Sequence, residues 1–206
     1  MEVIQSVQTI RGKTVVTFFS GWKVWFSHHE TLPFPLVPGT EIEHTTVEKY
    51  ILLTQYPSAL DKAVNLLAQR ARSRNEIIEK LRSAHYDQSV VEMVIYKLEK
   101  ENLLNDNDFT DQWIQSRIKK YGSARILHEL RIKGVDREII DQHLEDISEE
   151  EQLEAASSIA IKKIKQISDK NLSENEIKKI VIGMLIRRGY SWQTASKALQ
   201  NALSQE

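Results

Sequence analysis

One short signature occurs three times along the chain and limits what it can fold into. Leu81-Arg82-Ser83-Ala84-His85-Tyr86-Asp87 aligns with Leu130-Arg131-Ile132-Lys133-Gly134-Val135-Asp136, and both align with Leu185-Ile186-Arg187-Arg188-Gly189-Tyr190-Ser191. Each copy reads as the end of an apolar helix, a basic last turn, a tight turn, an apolar plug and an N-cap that opens another helix. The leading leucines stand 49 and 55 residues apart. A period of that length marks stacked helical units, and so an extended binding surface rather than a catalytic pocket.

The positions around the signature repeat with it. Ile77, Ile126 and Val181 correspond, as do Ile78, Leu127 and Ile182, and Ile95, Leu144 and Leu199. Amphipathic helices that merely share a period have no cap at a fixed offset from a leucine, whereas Asp87, Asp136 and Ser191 hold that register. In the first unit Leu60, Ala63, Val64 and Leu67 form the expected stripe of an opening helix. Ser73-Arg74-Asn75-Glu76 reads as a capping box, in which hydroxyl and carboxylate each take a free backbone N–H. Asp87 then caps a helix with Val90, Val91, Val94, Ile95 and Leu98 inward. The second unit opens on Phe109, Trp113, Ile114 and Ile118, restarts at Gly122-Ser123 and restarts again at Asp136. The third opens on a box at Ser148-Glu149-Glu150-Glu151, has a second box at Ser173-Glu174-Asn175-Glu176, and ends with the helix that Ser191 caps.

The first 56 residues differ in kind. Val3–Ile10, Thr14–Phe19 and Trp22–Ser27 alternate or run apolar as strands do, with turns at Arg11-Gly12-Lys13 and Ser20-Gly21. Pro33, Pro35, Pro38 and Gly39 break regular structure, and Thr46–Tyr56 has room for a short helix before Pro57, which suits a helix start. The expected architecture is therefore mainly α. A small antiparallel three-stranded meander, a Pro-rich loop and a short helix fill 1–56. Three tandem three-helix repeats follow at 57–104, 105–147 and 148–206, forming a curved solenoid of right-handed type.

Composition removes several function classes. The chain has no cysteine, so disulfides, thiolate catalysis and cysteine-rich zinc sites are excluded. Hydrophobic residues make up 41% and charged residues 28%, as in a globular domain, and the expected location is the cytoplasm. A formal net charge of −1 argues against coating nucleic acid by bulk charge, though not against a local basic stripe. His28-His29-Glu30 lacks the second histidine one helical turn on that a zinc-protease helix needs, and His44, His85, His128 and His143 are scattered. No glycine loop cradles phosphate, and no nucleophile meets a base. Asp106 and Asp108 suit the dipole of a helix start. The chain reads as a non-enzyme, with no catalytic residue, metal or cofactor, and with no membrane segment.

Basic residues carry the functional signal. Arg70, Arg72 and Arg74 surround the first capping box; Arg117, Lys119, Lys120 and Arg125 cluster about Gly122; Arg131 and Lys133, Lys162, Lys163 and Lys165, and Arg187 and Arg188 follow. Many serve only as cations at helix C-termini. Several nevertheless fall at matching places in successive repeats, and a row of cations suits an extended acidic or polyanionic partner. Arg70, Arg72, Arg117, Lys120, Arg125, Arg131 and Lys133 are the expected contact residues.

Arg72–Leu81, Leu103–Trp113, Tyr121–Val135 and Leu185–Tyr190 together resemble the RecX family of bacterial RecA regulators, and the similarity extends over 57–206. The β-rich start is similar to an extension found in some Gram-positive members. The resemblance implies a modulator lying in the groove of the RecA–DNA filament and inhibiting recombinase, ATPase and coprotease activities in DNA repair and the SOS response. The expected contacts of the basic residues are with acidic filament residues or with DNA phosphates directly, and the expected state is a monomer. This chain departs from the pattern in being near neutral and in carrying His85 where glycine is usual. A nucleic-acid-binding helical module acting without the recombinase, and a generic protein scaffold, remain the alternatives.

Overall fold

The computed structural model describes residues 1–27, 33–168 and 172–204; the His28-His29-Glu30 segment lies outside them. Among these residues the elements are β1 (Glu2–Ile10), β2 (Lys13–Phe18), β3 (Lys23–Ser27), β4 (Glu41–Ile42), α1 (His44–Gln69), α2 (Arg74–Ser83), α3 (Gln88–Lys100), α4 (Asp106–Arg117), α5 (Ser123–Ile132), α6 (Arg137–Glu145), α7 (Glu149–Ile167), α8 (Glu174–Arg187) and α9 (Trp192–Leu203). They divide into two compact units, Met1–Leu104 and Asn105–Glu206.

In the N-terminal unit the meander gains a fourth strand, and the sheet order is β3-β2-β1-β4. β4 pairs antiparallel with β1 through Glu2–Ile42 and Val3–Glu41. Gly39, at φ 89°, turns the chain back, and its N–H donates to the Ile4 carbonyl at 2.8 Å. Two residues are too short a strand to show a period, which is why the sequence does not announce it. Val24 and Phe26 are buried on one face of β3, as their spacing predicts, while Lys23 is exposed.

Helix α1 corrects the reading of Pro57 as a helix start: the helix runs without interruption from His44 to Gln69 with Pro57 inside it. An internal proline removes one ladder bond and costs about 3 kcal/mol. The carbonyl freed is that of Leu53, on a flank where the Leu53 side chain is 73% exposed and water can replace the bond. Packing offsets the cost, because Val47 and Ile51 before the proline and Ala59 and Ala63 after it are all buried in one core with the sheet, α2 and α3. The buried stripe is also rotated from the expected one. Ala59 and Ala63 face inward, Leu60 and Leu67 are half-buried, and Val64 is 42% exposed. Two small residues one turn apart let α1 lie close against α3.

The sheet is bolted to the α2–α3 turn. The buried Gln55 amide donates to the Trp25 carbonyl at 2.9 Å and accepts from the Asp87 N–H at 2.8 Å. Lys13 Nζ donates to the Ala84 carbonyl at 2.8 Å. His85 stacks on Trp25 with ring centroids 3.9 Å apart. His85 has φ 65°, the left-handed geometry that Gly134 and Gly189 adopt at the matching positions. A histidine there is strained by roughly 1 kcal/mol or more, and the stack with Trp25 is a compensation that glycine lacks.

The recurring signature is a Schellman cap in every copy. The N–H of Tyr86, Val135 and Tyr190 donates to the carbonyl of Leu81, Leu130 and Leu185 at 3.3, 3.2 and 3.2 Å. The inner bond runs from His85, Gly134 and Gly189 to Arg82, Arg131 and Ile186 at 2.8, 2.9 and 2.9 Å. The three leucines are fully buried. Asp87, Asp136 and Ser191 then accept from the first turn of the next helix. The boxes at Ser73–Glu76 and Ser173–Glu176 are complete. The expected box at Ser148 is half formed: its hydroxyl accepts from the Glu151 N–H, and the return bond is absent.

In the C-terminal unit α4, α5 and α6 close over Phe109, Ile114, Ile126, Leu130 and Ile140. A second core beneath α7, α8 and α9 is rich in alanine, with Ala156, Ala160, Ala195 and Ala198 all fully buried. The two three-helix groups meet at two glycines. The Gly122 N–H donates to the Arg188 carbonyl at 3.0 Å and the Ala124 N–H to the Gly189 carbonyl at 3.3 Å. The start of α5 is thus capped by the end of α8, positive helix end on negative. A Cβ on Gly122 would overlap the Gly189 carbonyl, and one on Gly189 would overlap the Arg125 backbone.

Candidate cation-rich interaction surfaces

The expected contact residues fall into three settings. In the N-terminal unit Arg70 forms a fork on Glu76, with Nη2–Oε1 at 2.8 Å and Nη1–Oε2 at 3.2 Å, and donates again to the Ala71 carbonyl at 2.8 Å. That hydrogen bond to Glu76 holds the Arg70 guanidinium protonated even more firmly than usual. Glu76 is also the carboxylate of the capping box, so Arg70 fastens the end of α1 to the start of α2. Arg72 Nε donates to the Leu66 carbonyl at 2.9 Å, which is likewise a helix-end role.

In the C-terminal unit Arg117 and Arg125 converge on one carboxylate. Arg117 Nε lies 3.0 Å from Glu129 Oε2, and Arg125 Nε lies 3.1 Å from Oε1. Burial pushes the Glu129 carboxyl up, but the bonds and charges from the two arginines outweigh it and hold it below the usual carboxylate range. Aromatic rings complete the cluster. Arg117 lies 4.4 Å from the Trp113 centroid and Lys133 Nζ 4.2 Å from the same ring, while Arg125 lies 4.3 Å from Tyr121. Such contacts hold a cation in place and still leave part of it facing solvent. Phe109 is buried beneath, and Trp113 is half-buried and stacked on it at 5.8 Å.

Arg131 and Lys120 are different. Arg131 is exposed on the last turn of α5, and its side chain makes no hydrogen bond or ion pair among the described residues. Lys120 is not gathered with Arg117 and Arg125 at all. It lines a concavity with Lys119, Ile159, Lys162, Lys163, Gln166, Met184 and Arg188. The sequence shows these cations but does not bring them together, because they lie on segments widely separated along the chain. No group of three or more histidine, aspartate or glutamate side chains gathers as a metal site among the described residues. No helix there is long and apolar enough to cross a membrane.

Nine helices among the described residues, three of which (α2, α5 and α8) end on the same repeated cap, define a three-helix repeat protein. The chain belongs to the RecX family. Family models described as the first, second and third three-helix domains of RecX match residues 59–98, 105–144 and 149–199. A protein named Regulatory protein RecX from Corynebacterium efficiens is 37% identical over 63% of this chain and 64% of its own length. One of the same name from a Mycobacterium species is 36% identical over 64% of this chain and 74% of its own length. One from Listeria monocytogenes is 30% identical over 84% of this chain and 64% of its own length. The crystal structure of RecX from Lactobacillus salivarius superposes with a TM-score of 0.66 at 22% identity, covering 72% of this chain and 97% of that one. A second structure, of regulatory protein RecX, gives 0.64 at 22% identity and covers 95% and 98%. These two similarities establish the fold.

Proposed function

We propose that this protein regulates the RecA recombinase by binding its filament on DNA, and that it restrains recombinase, ATPase and coprotease activity without catalysing a reaction itself. Membership of a family whose relatives are named regulatory proteins supports the reading. The observation that carries it is the set of cations on the repeat ends. Arg117, Arg125 and Lys133 are held on aromatic faces, and Arg131 stands exposed beside them in sequence without a partner of its own among the described residues. A surface pre-organised in this way loses little entropy when an acidic partner arrives.

The experiment is capture of the full chain on recombinase assembled on single-stranded DNA with nucleotide, beside free recombinase and bare DNA. Enrichment on the assembled filament is expected. Arg131→Glu should weaken suppression of the recombinase ATPase about tenfold, the effect of losing roughly 1.4 kcal/mol at an interface, with melting unchanged. Absence of enrichment on the filament returns the protein to the scaffold reading. Arg117 and Arg125 are poor choices for charge reversal, because each reversal places a second carboxylate against Glu129.

A further inference from the structure

The concavity that holds Lys120 has a charge pattern that neither packing nor helix capping requires. Its walls come from three places in the C-terminal unit. Ile159, Lys162, Lys163 and Gln166 recur at the spacing of one face of α7. Met184 and Arg188 stand one turn apart at the end of α8, and Lys119 and Lys120 follow the end of α4. Among the described residues, five cations and no carboxylate line it. None of the five has an ion-pair partner among the described residues. Lys119 and Lys162 also border a neighbouring cleft that contains Glu151 and Glu154, yet neither forms a salt bridge there. Lys163 and Arg188 are half-buried beside half-buried Ile159 and Met184, so part of their charge is taken from water without a counter-charge.

Lys119, Lys120 and Arg188 have an ordinary reason to be present, since each lies at or just past a helix C-terminus, whereas Lys162 and Lys163 lie before the last turn of α7. Convergence of five on one hollow does not follow from that reason.

We propose that this concavity is a phosphate-binding site that takes consecutive phosphoryl groups of an extended polyanion. Four of its five cations are lysines, which bind phosphate as point charges. Its volume of about 220 Å³ is below the roughly 300–1,000 Å³ of sites that enclose a whole small molecule. A few phosphoryl groups lodge in it while the rest of the ligand stays outside. No aromatic side chain among the described residues lines it, so bases have nothing to stack on and recognition ignores sequence. The site needs no recombinase and stands apart from the filament reading.

The test is fluorescence anisotropy of a labelled single-stranded oligothymidylate with the full chain, over a range of salt. Lys120→Glu with Lys163→Glu should weaken binding at low salt at least about tenfold. The slope of log K against log salt should also fall by about 0.7 for each lost contact. Lys80→Glu with Lys100→Glu, which changes net charge equally in the other unit, should leave the slope alone. Tripolyphosphate and poly-glutamate serve as competitors. Displacement by tripolyphosphate only at large excess assigns the site to a nucleic-acid backbone, and tight tripolyphosphate binding assigns it to free polyphosphate; both support the proposal. Binding of neither phosphate probe, binding unchanged in the Lys120/Lys163 variant, an equal loss in the Lys80/Lys100 control, or displacement by poly-glutamate as effective as by tripolyphosphate overturns it.

Discussion

Arg117 and Arg125 reach one glutamate from two sides, while Lys120, Lys163 and Arg188, on the same C-terminal unit, reach no carboxylate among the described residues. Both groups read alike in sequence. In the first, cation, carboxylate and aromatic ring satisfy one another, and the cluster belongs as much to the fold as to a partner. In the second, like charges crowd a hollow and the fold gains nothing from them. A basic residue is a good candidate for a partner when its neighbours leave its charge unanswered, and spacing alone does not reveal that.

The two groups flank the Gly122–Gly189 crossing, since Arg125 follows one glycine and Arg188 precedes the other. Gly122→Ala should therefore have the largest effect. The new methyl group meets backbone, and destabilisation of about 3 kcal/mol is expected, seen as a fall in the urea midpoint. Full retention of stability would mean that the crossing is loose and the two cationic groups are not set against each other by it.

Glu129→Gln should destabilise by about 1 kcal/mol, since charge-assisted bonds to a partly exposed carboxylate are worth that order. The sign with pH follows from the depressed Glu129 value. The contribution is complete above the usual carboxylate range and is lost as pH falls through the lowered folded value. The gap between wild type and Glu129→Gln should close in acid. A gap that stays constant with pH would remove the charge from the explanation.

The smallest effect is expected in the hollow itself. Lys120→Glu with Lys163→Glu should leave melting equal or raise it by a few tenths of a kcal/mol equivalent at low salt, an advantage that added salt removes. A fall comparable to that of Glu129→Gln would show that these lysines hold the fold together, and the contrast between the two groups would fail.

The repeat is legible in the sequence because a Schellman cap demands particular residue types at fixed offsets: a leucine, a left-handed residue, an apolar plug and an N-cap. The cap at the end of α3 is not, although Leu103 N–H donates to the Leu98 carbonyl at 2.9 Å and Asn102 sits at φ 54°, since no glycine marks it. His85 reads as a departure because its compensation lies with Trp25, sixty residues earlier in the chain. Pro57 misleads for a similar reason: local preference says start, and burial on both sides of it says continue. Of the expected contact residues, the pairing of Arg125 with Glu129 is visible as an i, i+4 spacing, whereas that of Arg117 depends on how α4 meets α5. The hollow draws on α7, on the end of α8 and on the residues after α4, and no single segment carries its pattern.

Helix α1 carries a practical consequence. Because it passes through Pro57 unbroken, cutting the chain at that proline does not separate the sheet from the repeats. It severs a single rod, removes Gln55 from between Trp25 and Asp87, and opens the core that the sheet and α1 share with α2 and α3. Loss of activity in such a truncation would report the collapse of the first repeat and say nothing of what the sheet is for. Point substitutions on the outward faces of β1 and β3 ask that question cleanly.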